Sequence, residues 1–279
     1  MALAIEPRIK LNQKFPCHPE IAMPSEDTKW FTCSKCGTRV RSGQLWAVIY
    51  SDEYPAARGH HDPIVGECKV RTLSRWLDHL RINVTGAVVC EIGFGGAFCL
   101  AALQSRGANV YGIEPVPANL EHAHSLGIPI DHLFGVDPLP NLPRTVDLWL
   151  LQDSFEHVPN PNQLAQWMLG HSSSRARILL VAPNVDSLSR KIMGRFWIHE
   201  VADHSVHYSR SGIVSIFSRA GFRLAREFRP VKLISLGMVL SHLRLLARVP
   251  AEARPEPSLA PRVWFNIGEM GLLLQRDDG

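Results

Sequence analysis

Between Val88 and Pro115 the chain reads as an apolar run, a glycine-rich turn, a helix-compatible stretch and a second apolar run that ends in an acid. The first run, VVCEI, contains Glu91; the turn carries Gly93, Gly95 and Gly96; AFCLAALQSRG follows; and NVYGIEP brings Glu114 to the tip of the second run. Such an order folds as strand, tight turn, helix and parallel strand, which puts the turn and the acid at the same end of a sheet. Glycines there remove side chains where a ligand must approach the backbone. A carboxylate about 20 residues beyond the turn can accept hydrogen bonds from both hydroxyls of a ribose. The pattern predicts an adenosine-type ligand.

The surroundings of the glycines narrow the choice. A dinucleotide fingerprint, G-x-G-x-x-G, asks for a small third residue where Phe98 stands, and Glu91, two residues before Gly93, sits badly beside a pyrophosphate. Glu91 suits a ligand with a cationic end. These residues resemble the first motif of class I methyltransferases that use S-adenosylmethionine, acid-x-Gly-x-Gly-x-Gly. It is met here as Glu91, Gly93, Gly95 and Ala97, with alanine in the third glycine's place and Gly96 just before it.

The resemblance covers roughly Arg71 to Arg276. TVDLWLLQDSFEHVPNP, from Thr145, looks like the fourth strand and following loop of the subgroup that includes ubiquinone-type O-methyltransferases, whose version ends in Glu-His-Val and a proline. ARILLVAPN, from Ala176, resembles the fifth strand, and HYSRSGIVSIFSRAGF, from His207, the helix leading to the sixth. The likeness implies that Gly93 and Gly95, with Phe94 packed beside them, line the methionine part of the cofactor, that Glu91 lies near its cationic end and that Glu114 takes the ribose. It further implies adenine contact near Asp137, a place for Gln152 at the end of the fourth strand, and a covering segment around Tyr54 in SDEYP.

Composition agrees with a globular chain: 279 residues, 46% hydrophobic and 20% charged, enough for one α/β domain and a small appendage. The net charge of +4 is mild, and no basic stripe with interleaved aromatics appears, so no nucleic-acid partner is expected. The start, MALAIEPRIK, lacks the apolar core of a secretory signal, and no apolar run approaches the ~20 residues of a membrane span, so a cytoplasmic location is expected. VKLISLGMVLSHLRLLARV, from Val231, is broken by Lys232, His242, Arg244 and Arg248 and reads as an amphipathic helix, a lid or the contact of a homodimer.

The expected architecture is a Rossmann-like, doubly wound, seven-stranded α/β sheet over residues 61 to 279, with a small zinc-ribbon-like appendage over residues 1 to 60. Strands are expected near 87–93, 109–114, 128–133, 146–152, 177–183, 222–229 and 263–275, the last antiparallel, with a helix over Val65 to Ile82 leading in.

Six cysteines in a chain with no export signal point to thiols or metal. Cys33 and Cys36 in FTCSKCG have the C-x-x-C-G spacing with which two thiolates grip a tetrahedral zinc, and Cys17 and its neighbour His18 are candidates to complete it. Glu20, His60 and His61 are alternatives for the fourth position, and a ribbon without metal, folded on Trp30, Phe31 and Trp46, stands beside them. Such a zinc would be structural. Cys68, Cys90 and Cys99 read as small buried hydrophobes.

Chemistry is sought after the fourth and fifth strands. Asp153, Glu156 and His157 follow one; His199, Glu200, Asp203, His204, His207 and Tyr208 lie in a long insertion after the other. In the resembling subgroup that insertion carries a histidine and then a histidine or tyrosine just before the helix, which makes His204 and His207 the candidate bases, with His157 a third. Each has a structural alternative, as a helix cap or as packing of the insertion. The acceptor expected is a small organic molecule, methylated on oxygen, then carbon, then nitrogen in order of preference. A nicotinamide oxidoreductase and a non-catalytic cofactor-binding scaffold are the readings from other classes.

Overall fold

The computed structural model describes residues 30–41, 61–201, 204, 206–237 and 261–277; Cys17, His18 and Tyr54 lie outside them. The molecule is organised by one seven-stranded sheet with the order β5-β4-β3-β6-β7-β12-β9. Its strands are β3 (Val88–Ile92), β4 (Asn109–Ile113), β5 (Leu133–Phe134), β6 (Val146–Gln152), β7 (Ser172–Pro183), β9 (Phe222–Phe228) and β12 (Glu269–Arg276). The first five run parallel, and β12 lies antiparallel between β7 and β9. The expected fold class is therefore the observed one.

Parallel strands joined by crossover helices are covered on both faces, so their sequences run apolar without alternation. All five residues of β3 are buried, as are Leu148, Trp149, Leu150 and Leu151 of β6. Helices α2 (Phe98–Ser105), α3 (Pro117–Ser125) and α4 (Pro161–Gly170) follow β3, β4 and β6, and α6 (Arg210–Ala220) leads into β9. Helix α1 (Pro63–Leu80) precedes the sheet. It is opened by the Asp62 side chain, which accepts the Ile64 N–H, with Pro63 at the first turn, and it buries Leu73, Trp76, Leu77 and Leu80.

Three expectations shift. The third strand was expected at 128–133 and is only Leu133–Phe134, after a 3-10 turn at Ile130–His132; Pro129, with no N–H, cannot join the ladder. The run ending the chain is two strands, β11 (Arg262–Phe265) and β12, separated at Gly268, whose φ of +104° suits glycine alone. β11 leaves the main sheet to pair with β10 (Lys232–Ser235). That pairing corrects the start of the helix expected from Val231: Lys232–Ser235 is extended, with Leu233 and Ser235 buried and Lys232 and Ile234 half-buried, and Leu236 and Gly237 are helical. The ladder supplied by β11 outweighs the local helical spacing. Residues 238–249 of that segment lie outside the described ones.

The N-terminal hairpin is joined to the sheet domain's insertion. β1 (Trp30–Thr32) and β2 (Arg39–Arg41) form an antiparallel pair, and β2 also pairs with β8 (Val206–His207), with Arg39 opposite His207 and Val40 opposite Val206. The insertion between β7 and α6 also carries the short helix α5 (Leu188–Met193).

Candidate functional site

The strand order turns back between β3 and β6, and the crevice beyond their carboxyl ends is where an open α/β sheet takes its ligand. Gly93 leaves β3 at φ +71°, and a Cβ there would stand 2.6 Å from the Cβ of Ser154, so the turn lies against the loop after β6 with no room for a side chain. Phe94 turns inward: it is buried in the core beneath the turn, and its ring fills the space over Gly112 of β4. Gly95 donates its N–H to Glu114 Oε2 at 2.9 Å, so the ribose acid also braces the glycine turn. Glu114 Oε1 receives the Val116 N–H at 3.2 Å and the Asn119 side chain at 3.1 Å. Burial raises the pKa of Glu114, and these three donors pull it back.

Glu91 and Gln152 meet across adjacent strands, with Gln152 Nε2 donating to Glu91 Oε1 at 2.9 Å. The other oxygen of Glu91 is buried with no partner among the described residues. Burial pushes the Glu91 carboxyl up to about 7, against the pull of Lys69 and of Gln152. Lys69, half-buried on α1, is a cation that acts on Glu91, Glu114 and Asp153 alike, and sequence reasoning did not single it out. Nor did it single out Asn119, fully buried, whose Oδ1 lies 2.9 Å from His61 Nε2, or the stack of His61 on His122 at 3.9 Å. Asp137 is exposed on the loop after β5.

Beside this end lies a buried polar cluster. Asp153 follows β6 with φ 53° and accepts from Lys232 Nζ at 2.5 Å; Lys232 also donates to Glu269 Oε1 at 2.6 Å. Burial opposes ionisation of both Asp153 and Lys232, but their attraction wins: Asp153 is held well below the usual carboxylate range and Lys232 above the usual lysine range. Glu269 is pushed up to about 8, first by burial, and burial also pushes Glu156 well above its ordinary value. Both oxygens of Glu156 are without hydrogen-bond partners among the described residues. A lone lysine in an apolar run and an acid opening the last strand were the sequence signals for Lys232 and Glu269.

The insertion completes the cluster. The His199 carbonyl stands 3.0 Å from His204 Nδ1 and 2.9 Å from His207 Nε2. A carbonyl only accepts, so each ring carries a proton on that nitrogen and turns a lone pair outward on the other when neutral. His204 thus presents Nε2, 3.8 Å from Glu156 Oε1, and its ring centroid lies 4.9 Å from that of His157. Glu156, His157 and His204 each offer a ligand atom within 4.8 Å of the others, a spacing at which they could hold a metal ion. His207 is fully buried, with Nδ1 facing Glu200 at 3.9 Å. Burial drives the pKa values of His199 and His207 down to about 3 and that of the Tyr208 phenol upward. Of the three candidate bases, His157 and His204 come together and His207 stands behind them.

A family model described as a methyltransferase domain matches residues 67–227. The ubiquinone biosynthesis O-methyltransferase of Pseudomonas syringae pv. tomato is 30% identical over 95 residues, 32% of this chain and 40% of that protein. A methyltransferase of Mycobacterium leprae is 28% identical over 137 residues, 47% of this chain and 50% of that protein. The chain therefore spans two fifths to half the length of these curated relatives. A SAM-dependent methyltransferase structure from Thermotoga maritima superposes with a TM-score of 0.53 at 13% identity, over 84% of this chain and 100% of that one, a likeness of fold.

The Lys232 cluster yields a stability prediction. Lys232→Met leaves Asp153 beside Glu269 without the ammonium between them; orphaning a fully buried charge costs about 3–5 kcal/mol, and with the Asp153 side chain 36% exposed the loss in urea denaturation should be about 1–3 kcal/mol. A loss below about 1 kcal/mol, the scale of an exposed pair, would mean that solvent already screens these groups.

Proposed function

The chain belongs to the methyltransferase domain family, as a class I S-adenosylmethionine-dependent methyltransferase, and from that premise we propose that it methylates a hydroxyl of a small organic acceptor. We assign it to secondary-metabolite or sugar biosynthesis in the cytoplasm. The observation that carries this reading is the orientation of His204, whose Nδ1 proton is committed to the His199 carbonyl and whose Nε2 is turned toward Glu156 and His157. The names of the O-methyltransferase relatives support oxygen as the accepting atom.

S-adenosylmethionine supplies an electrophilic methyl on sulfur: the acceptor oxygen forms the new C–O bond as the C–S bond breaks and sulfur regains its lone pair. The protein's part is alignment and proton removal. Gly93 and Gly95 let the ligand approach the backbone, Glu91 faces its cationic end, and Glu114, with acceptor capacity left on its oxygens, takes the ribose. Holding the reacting atoms in line at about 3–3.5 Å is the largest gain available to such a reaction. The hydroxyl proton passes to His204 Nε2, since a neutral imidazole is the side chain suited to that task near pH 7. His157 and Glu156 flank the acceptor.

Two variants separate binding from chemistry. Glu114→Ala should weaken S-adenosylhomocysteine binding by about 1.5–3 kcal/mol in calorimetry, the value of hydrogen bonds to a charged group. His204→Ala should bind it as the parent does and lose turnover of radiolabelled S-adenosylmethionine with catechol and sugar acceptors. Full turnover in His204→Ala would remove His204 as the base. Cofactor binding with no turnover of any acceptor by the parent would favour the non-catalytic scaffold.

The pKa of Glu91 sets the pH dependence of cofactor binding. A carboxyl with pKa about 7 is mostly protonated at pH 6, and a cationic ligand favours its ionised form, so binding below pH 7 must expel a proton. S-adenosylhomocysteine affinity should therefore rise from pH 6 to pH 7 and level off by pH 8, with a limiting slope of about tenfold per pH unit below the pKa. Glu91→Gln should be flat across the same range. S-adenosylhomocysteine is a thioether whose cation at that end is its ammonium, so a parent protein with no such rise would mean that Glu91 does not face the ammonium.

We also propose a structural zinc on Cys33 and Cys36, with Cys17 and His18 completing the set. The fit is supported by the turn itself: the Gly37 N–H donates to Cys33 O and the Cys33 N–H to Thr38 O, both at 2.8 Å, with Gly37 at φ +77°. This is the tight reversal on which two thiolates three residues apart can share an ion. Metal analysis of protein purified without chelator should give one zinc per chain, lost in Cys36→Ser; zinc-free protein with all thiols titratable would rule the site out.

A further inference from the structure

We propose that Trp30, on the N-terminal hairpin β1–β2, is a positioning residue that fixes His204 through His207. This rests on the reading of His204 as the base, but the contacts behind it stand by themselves. Trp30 stacks on the His207 ring at 4.3 Å and 24°, while Trp197 meets the same ring in a T-shaped contact at 5.0 Å. Arg39 of β2 lies 4.6 Å over the Trp30 ring and reaches Glu200 Oε2 at 3.3 Å, the same oxygen that stands 3.9 Å from His207 Nδ1. The backbone is fixed as well, since β2 pairs with β8 at Arg39↔His207.

The hairpin also holds the next residues. Thr38 Oγ1 accepts the Ser209 N–H at 3.2 Å, and a Cβ on Gly212 would come to 2.3 Å from it, so the first turn of α6 is seated directly on the hairpin. Cys36 O accepts from Ser211 Oγ at 3.2 Å. The C-x-x-C turn therefore touches the segment that carries the candidate bases.

The coupling runs through one oxygen. His207 and His204 donate to the same His199 carbonyl, so the peptide plane after His199 is held by two rings, and His207 is held by two indoles, one stacked on it and one in a T-shaped contact. Removing Trp30 removes the stacked one. His207 then gains the freedom to turn its Nε2–H away, the carbonyl loses one of its two donors, and His204 loses the fixed acceptor that commits its proton to Nδ1. Trp30 itself is half-buried and stands outside the sheet's hydrophobic clusters, so its ring is not required to fill the core.

The test reads the rings themselves and needs no acceptor. Long-range proton–nitrogen correlation spectra of the full-length ¹⁵N-labelled protein at neutral pH report which imidazole nitrogen carries the proton, with His204 and His207 assigned from His204→Gln and His207→Gln. The parent should show His204 protonated on Nδ1 and His207 on Nε2. Trp30→Ala should lose the single-tautomer pattern at both rings, and Trp30→Phe, which keeps a stacking face, should restore it. Arg39→Gln, a milder change, should disturb His207 first. S-adenosylhomocysteine binding should be unaltered in all three variants, which checks that each is folded. A His204 pattern unmoved by Trp30→Ala, or a parent that lacks these tautomers, overturns the proposal. A parent that keeps the tautomers but binds no S-adenosylhomocysteine overturns the methyltransferase reading instead.

Discussion

The ammonium of Lys232 is the charge on which the acceptor end of this site depends. It brings three distant pieces of chain to one point: Asp153 after β6, Glu269 at the start of β12, and its own strand β10 in the hairpin with β11. Without that cation the half-buried Asp153 would lose the counterpart of its charge and keep only the buried Glu269 carboxyl, itself raised to about 8, beside it. The loop after β6 would then lose its anchor, and with it the positions of Ser154 against Gly93 and of Glu156 and His157 beside His204. The glycine turn and the histidine cluster are in this sense joined through the loop that Lys232 holds.

The sheet and the cofactor end were legible because their signals are local. Glu91, the glycines and Glu114 lie within 24 consecutive residues, and a buried parallel strand leaves an unbroken apolar run that names its own boundaries. The errors fell where partners are remote. That Lys232–Ser235 is strand is decided by Arg262–Phe265, some thirty residues on, and no spacing within the segment reports that. The brief third strand was misjudged for a local reason, the missing N–H of Pro129, which was present in the sequence but outweighed by the apolar residues around it.

Site residues divide in the same way. His204 and His207 were both legible as titratable groups before a helix, but their different parts, one turned toward Glu156 and one held behind it, follow from a carbonyl they share and from an indole more than 170 residues upstream. Lys69 on α1 carries no motif; only the fold brings its charge to bear on Glu91 and Glu114.

The charge state of the cluster bears on how a proton could leave the acceptor. Burial raises the Glu156 carboxyl well above its ordinary value and Glu269 to about 8, and it holds His199 and His207 down to about 3, while the Asp153–Lys232 and Arg39–Glu200 pairs each set opposite charges together. In the proposed reaction a base among such groups gains most from geometry. The His204 Nδ1 proton is directed to the His199 carbonyl, which turns Nε2 toward Glu156. With His204 as the proposed base, the imidazolium it would form lies 3.8 Å from Glu156, whose carboxyl is raised first by burial and then by the Asp153 charge. A positive charge on His204 would favour ionisation of Glu156, which gives the transferred proton an electrostatic partner.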